Sequence, residues 1–362
     1  MFRRSLLLPL TVLGALLAGG PGLALSGIAT AQGASSSHTD AASADAAGYE
    51  ATGSRSAHCR LSSILVPECG RLFGAYAKPE GGQSSEQAFT SLERRTGSHM
   101  RILHFYHGGT QLFPSEWEIR QSRHGHHLLL NWKPDNGHTW AQVAVGAADS
   151  YIDREAAYMR QHYAHKKFFL VIHHEPEDEV IDQSGSGYTA ANYRAMFRHV
   201  EDRLRAGGVR NAVYVMTYMG AQVHAMKAWY SDLWPGRDYV DWIGFDRYSA
   251  PPVGAQEGGF KAMVNRHWGD GDWRGAYRWA HAHYPHKPVM LPEWGASEKA
   301  SAPLWKARLF SSVPDGLRSM PNLKLISYFH SPGYKGGDKS VDTSAASMDA
   351  WRRLAARPMF HR

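Results

Sequence analysis

The feature that most constrains this chain is a rhythm of short apolar runs alternating with stretches of helical period. The runs are Leu72–Tyr76, Ile102–Tyr106, Leu128–Trp132 and Phe168–Ile172 in one half, and Ala212–Thr217, Val240–Phe245, Pro288–Leu291 and Leu325–Phe329 in the other. Runs of this length, predominantly apolar and rich in β-branched and aromatic residues, belong to strands covered on both faces. The stretches between them carry helical spacing. Ser85–Arg95 places Phe89 and Leu92 on one side, and 147–162 does the same with Tyr151, Ile152, Ala156 and Met159. Thr189–Leu204 repeats the pattern with Tyr193, Met196, Phe197, Val200 and Leu204, and Thr189 can cap its start. Strands alternating with helices make a parallel sheet. Eight such units favour closure into a (β/α)8 TIM barrel over an open sheet. An open dinucleotide-binding sheet would need G-x-G-x-x-G after the first strand. That position reads Tyr76-Ala77-Lys78-Pro79-Glu80-Gly81-Gly82 instead.

The flanks set the organisation. Arg3 and Arg4 precede an apolar stretch, Leu6–Leu17, and Ala29-Thr30-Ala31 offers a cleavage site. Residues 1–31 therefore read as a signal peptide and the protein as secreted. Residues 32–58, rich in Ala, Ser, Gly and Asp, lack the apolar surface needed to fold and read as a disordered linker, able to tether the rest of the chain to a cell wall. Residues 59–362 are expected to form the barrel, a normal size for that fold. No later run is long enough to span a bilayer, so no membrane association is expected once the signal is removed. The cysteines are Cys59 and Cys69, and in an exported chain they are expected to form a disulfide. Loss of Arg3 and Arg4 lowers the net charge from +7 to +5, with Lys and Arg scattered among acids. No basic stripe carries interleaved aromatics, so nucleic acid is not an expected partner. The chain is expected to act as a monomer.

Two glutamates fall where strands run out toward solvent. Glu175 follows Phe168–Ile172 in FFLVIHHEPEDE, and Glu293 follows Pro288–Leu291 in PVMLPEWG, 118 residues later. That interval fits strands four and seven of the barrel, whose carboxyl ends hold the chemistry of such folds. A pair of facing carboxyls is the minimum for cleaving a glycosidic bond. Glu175, half buried under aromatic neighbours, would keep its proton near neutral pH and serve as acid/base. An ionised Glu293 would serve as nucleophile. Two histidines and three acids in His173–Asp178 raise the possibility of a metal. Adjacent strand positions point to opposite faces, however, and H-E-x-x-H spacing is missing, so no metal or organic cofactor is expected. The same alternation means that His174 and Glu175 can share a site only if the strand end twists or bulges.

Asp246 and Tyr248, two apart at the end of the sixth run, share a face. Tyr248 can donate to the nucleophile, and Asp246 can bind sugar hydroxyls or cap a loop. Trp132, Trp294, His107 and His330 complete a set of aromatic and polar strand ends suited to a sugar's C–H face and hydroxyls, each of which could equally be packing.

These stretches resemble glycoside hydrolase family 26, a group of retaining (β/α)8 enzymes. The similarity runs through Leu130–Pro134, Gly146–Ile152, His174-Glu175, Val240–Tyr248 and Pro288–Gly295, in the family's order. The His-Glu pair is the most specific of them. The resemblance implies Glu175 as acid/base, Glu293 as nucleophile, and His174 and Tyr248 as supporting residues. One departure stands out. Mannan-cleaving members follow the acid with Met-Asn-Gly and tryptophans, whereas this chain has Pro176-Glu177-Asp178-Glu179. The expectation is a hydrolase of a polysaccharide, of β-mannan or β-glucan type, with rebuilt sugar contacts. The alternative is an inactive barrel that only binds carbohydrate. An esterase would need G-x-S-x-G, which is missing.

Overall fold

Each of the eight apolar runs is a strand. The computed structural model describes residues 59–249, 259–269, 271–298, 300–333 and 337–361. The signal peptide and linker expected at 1–58 lie outside the described residues. Residues Ser54–Arg362 belong to one compact unit.

The strands are β1 (Leu72–Ala77), β2 (Ile102–His107), β3 (His127–Trp132), β4 (Phe168–Ile172), β5 (Ala212–Tyr218), β6 (Trp242–Phe245), β7 (Arg247–Ser249), β8 (Val289–Ala296) and β9 (Leu323–His330). All neighbours are parallel, in the order β6-β5-β4-β3-β2-β1-β9-β8, and a β6–β8 pairing closes the circle. β7 continues β6 past a break at Asp246, so the barrel has eight staves. The fold is a (β/α)8 TIM barrel, as the rhythm of the sequence implies.

The helices are α1 (Ser85–Thr96), α2 (Glu116–Arg123), α3 (Trp140–Ala144), α4 (Asp149–His162), α5 (Ala190–Ala206), α6 (Gln222–Ala225), α7 (Gly259–Val264), α8 (Ala276–His283), α9 (Trp305–Arg318) and α10 (Ala345–Ala355). α1, α3 and α5 begin in capping boxes built on Ser84, Thr139 and Thr189, in which side chain and backbone bond reciprocally.

Alternation along the strands divides the apolar residues between two cores. Leu72, Ile102, Leu129, Phe169, Val171, Val213, Val215, Trp242, Met290 and Leu325 fill the inside of the barrel. A larger set, including Leu130, Ile172, Met216 and Leu291, packs between staves and helices. The inner core is closed from below by the segment just before β1. Cys59 and Cys69 are joined in a disulfide, with Cα atoms 5.6 Å apart. The loop between them sends Leu65 into the inner core, and the indole N–H of Trp242 donates to the Ile64 carbonyl at 2.7 Å.

β8 departs from the regular pattern and runs five residues beyond the expected Leu291. Leu291 pairs with Ile326 and Trp294 with Tyr328, so three steps on β8 match two on β9. This is a β-bulge, and it accommodates Pro292, which has no N–H for a ladder. Gly244 on β6 makes room for it, since a Cβ there would stand 2.7 Å from the proline ring.

Candidate active site

The staves place a graded set of side chains above the apolar inner core. First comes a buried polar layer of His104, Asn131, Thr217 and Ser327. His104 Nε2 lies 3.1 Å from Asn131 Oδ1. Burial pushes the His104 imidazole down to about 4, which keeps it neutral. Above that layer, at the carboxyl ends of the strands, stand the two glutamates.

Glu293 is only 6% exposed and is held from three directions. The Tyr106 hydroxyl donates to Oε1 at 2.5 Å, and the Tyr248 hydroxyl donates to Oε2. His174 Nε2 lies 3.8 Å from Oε1. The Glu293 backbone N–H donates to Asp246 Oδ1 at 3.0 Å, which ties the bulge to the break between β6 and β7. Burial first, and then the facing Glu293, raise both phenols well above the ordinary tyrosine value, so they remain O–H donors.

Glu175 occupies the opposite lip. Its carboxyl is pushed up to about 8, chiefly by burial, then by Glu293 and by Glu177 and Asp178. Asp246 is likewise raised by burial and by both glutamates. Three acids share one small volume, and the cost of charging them together keeps protons bound there.

The approach of His174 and Glu175 to a common site has a backbone cause. His173 and Glu175 both adopt the left-handed conformation, with φ of 52° and 51°. A side chain in that region costs roughly 1–2 kcal/mol, and such costs concentrate at functional positions. Strand alternation is broken, so His173 packs against Trp140 on the outside, 5.2 Å between rings. His174 instead meets Tyr106, 5.7 Å between rings. The twist that the sequence required is present, and the bulge in β8 does the matching work for Glu293. Regular alternation from Met290 would turn Glu293 outward and Trp294 inward. The extra residue reverses the two.

The outward turn of four side chains, three by plain alternation and Trp294 by the bulge, corrects their expected sugar contacts. Trp294 is fully buried between Phe260, Phe310 and Tyr328, and offers no face to a sugar. Trp132 is 1% exposed and packs on Phe113 and Tyr151. His107 faces outward, 2.9 Å from Glu118 in a pair with no exposed side-chain surface. His330 accepts the Val341 N–H and lies against Arg95, away from the glutamates. In each case the inward position is the neighbour: Tyr106 rather than His107, Asn131 rather than Trp132, and Phe329 rather than His330. Of these, Tyr106 bonds Glu293, a contact that the sequence did not assign to it although it stands among the aromatic strand ends and shares parity with His104 and Ile102. Tyr76, Tyr106 and Phe329 form an aromatic wall around the cleft, with ring centroids 4.9 Å apart from Tyr76 to each of the others.

The acidic run after Glu175 separates into three fates. Glu177 is buried, and burial pushes it up to about 8. Asp178 reaches His224 on α6 at 3.5 Å. Glu179 is drawn down to about 2 by His173 and by Lys133, whose Nζ lies 2.6 Å away. Asp135, His173 and Glu179 bring one ligand atom each within 4.8 Å of one another, as do Glu93, His99 and His126. Lys133 already supplies a cation at the first of these clusters.

The model of "Glycosyl hydrolase family 26" matches residues 169–268, a segment that includes Glu175, Asp246 and Tyr248. The chain is family 26-like. Endoglucanase H of Acetivibrio thermocellus is 27% identical over 282 residues, or 75% of this chain and 29% of that protein. The chain thus spans less than a third of the length of this curated relative. Among solved structures, a family 26 β-mannanase from Bacteroides ovatus superposes with a TM-score of 0.54, at 18% identity over 81% of this chain and 90% of that one. A β-mannanase from a protist symbiont of the termite Reticulitermes speratus, solved with a gluco-manno-oligosaccharide, gives 0.52 at 14% identity over 83% and 96%. A ruminal family 26 endo-β-1,4-mannanase gives 0.53 at 12% identity over 80% and 64%. At these identities the structural likeness establishes the shared barrel.

Proposed function

We propose that this family 26-like barrel is a secreted, retaining β-glycoside hydrolase that cleaves a β-mannan or β-glucan polysaccharide. The carrying observation is the division of labour between the two glutamates. Glu293 accepts O–H donors from Tyr106 and Tyr248, an environment that suits a carboxylate. Glu175, raised to about 8, retains a proton to give. In the first step Glu293 attacks the anomeric carbon and the glycosidic C–O bond breaks. The proton of Glu175 passes to the departing oxygen. In the second step Glu175 takes a proton from water, and the resulting oxygen displaces Glu293 with net retention. Asp246 and the tyrosines position the nucleophile, and His174 lines the same cleft.

The relatives named for mannan and glucan cleavage support this substrate range, and the Arg3-Arg4 start with the apolar stretch Leu6–Leu17 supports export. No helix among the described residues is long and apolar enough to cross a membrane. Reducing-sugar release from mannan, mixed-linkage glucan, xylan and cellulose tests the reading, with the anomeric form of the first product followed by NMR. Turnover of a mannan or glucan with initial release of the β-anomer is expected, together with its loss in Glu293→Ala. Binding of these polymers without turnover would instead mark a carbohydrate-binding barrel. An initial α-anomer would overturn the double displacement.

A further inference from the structure

Six large apolar side chains are strongly exposed among the described residues: Val145, Ile181, Val223, Met226, Trp268 and Leu304. Every one lies in a connection that leaves the carboxyl end of a strand, the end that holds the glutamates. Trp268 is the largest, with 59% of its surface open. Its backbone is nevertheless clamped. The Gln222 side-chain amide donates to the Trp268 carbonyl at 2.8 Å, and its oxygen accepts the Trp268 N–H at 2.7 Å. Gln222 itself is 3% exposed. Val223 and Met226, 55% and 63% exposed, sit on the same short α6 as Gln222 or just beyond it. A buried amide that fixes the backbone carrying an exposed indole suits a preorganised contact surface rather than loose packing.

We propose that Trp268, with Met226 and Val223, is the stacking platform for the departing sugar, a leaving-group subsite for a β-linked pyranose. This assignment rests on the reading of Glu175 as the acid. The acid delivers its proton to the leaving oxygen, so the departing sugar lies on the side of Glu175. The platform is tethered to that side. The Asp178 N–H donates to the Glu175 carbonyl at 3.4 Å, and the Asp178 carboxylate meets His224 on α6 at 3.5 Å. From the other direction Arg266, two residues before Trp268, donates to the Tyr248 carbonyl at 2.8 Å. The stretch directly after Glu175 supplies no aromatic residue, so the flat apolar face that a pyranose needs comes from a different connection.

The test compares wild type, Trp268→Ala and Trp268→Phe on two substrates. One is soluble glucomannan or mixed-linkage glucan, which must fill the leaving-group side. The other is an aryl β-glycoside of a manno- or cello-disaccharide, whose leaving group is not a sugar. For Trp268→Ala, kcat/KM on the polymer is expected to fall about tenfold and on the aryl glycoside less than twofold. Trp268→Phe should recover most of the difference, and Gln222→Ala should repeat the Trp268→Ala pattern more weakly. Equal losses on both substrates, or none on the polymer, overturn the platform. Retardation in a gel containing glucomannan gives a readout without turnover, and retardation that survives Trp268→Ala overturns the platform as well. Failure of the catalytic reading is seen separately, as no reducing sugar released by wild type.

Discussion

At the scale of single residues, the site separates side chains that gather around Glu293 from neighbours that only pack. Tyr248→Phe removes one donor to Glu293 and little volume. A hydrogen bond to a charged group contributes roughly 1.5–3 kcal/mol, so kcat should fall on the order of tenfold to a hundredfold with the melting temperature within a few degrees of wild type. Steady-state kinetics and a thermal melt on one preparation check both halves. Trp294→Ala should behave in the opposite way. Removing a fully buried tryptophan costs about 3–5 kcal/mol, so the variant should melt well below wild type; a near-native melt with weakened sugar binding would restore Trp294 to the cleft. Glu175 titrates near 8. The alkaline limb of kcat/KM should therefore fall near that value and be missing from the residual activity of Glu175→Gln on an activated aryl glycoside. A limb that persists in Glu175→Gln would move the acid elsewhere.

At the scale of elements, the sequence showed which segments were strands and left open which way their ends faced. Glu175, Glu293 and Asp246 stand out in the sequence as carboxyls at strand ends, and Tyr248 because it shares a face with Asp246. The orientation of Trp132, His107 and His330 follows plain alternation, and counting from the inward residues Leu129, Ile102 and Leu325 recovers it. Trp294 could not be recovered by counting. Its direction depends on an extra residue at Pro292, and a bulge arises from a mismatch between two strands rather than from one strand's own pattern. A twist beside Glu175 was called for by the sequence, but not its form, two left-handed residues at His173 and Glu175 held by the surrounding packing. The two staves that carry Glu175 and Glu293 are thus the ones that break the rule the other staves follow. Alternation is a reliable guide to the wall and a poor one to the centre.

At the scale of the whole molecule, burial of acids shapes the response to pH. Glu155, Glu175, Glu177 and Glu201 are pushed up to about 8 and Glu93 to about 7, in each case chiefly by burial. A folded value above the unfolded one means that the fold binds the proton more tightly. Its contribution is complete below about 4.5 and is lost as pH rises through 7 to 8. His104, His126, His127 and His330, pushed down to about 4, act in the other direction, but only below about 6.5. Lys306, lowered to about 8, matters only above that pH. Between pH 6.5 and 8 the carboxyls stand nearly alone, each with a slope of up to about 1.4 kcal/mol per pH unit. Denaturation midpoints should fall across that interval, and Glu155→Gln should flatten the fall. A midpoint that holds steady or rises from pH 6.5 to 8 would contradict the assignment.

The loop closed by Cys59 and Cys69 also sets an order of assembly. Its Leu65 belongs to the same inner core as Met290 and Leu325, and Ile64 accepts a bond from Trp242, 178 residues away. A barrel floor made from the first described segment can seat only after the last stave has closed beside β1. A chain threaded out of a cell amino end first would carry that floor ahead of everything it seals. Its thiols could pair early, within an 11-residue stretch that needs no distant partner, while the barrel remained open. On that route the stopper would be made before the vessel, and the interior would stay wet until residue 330 had passed through.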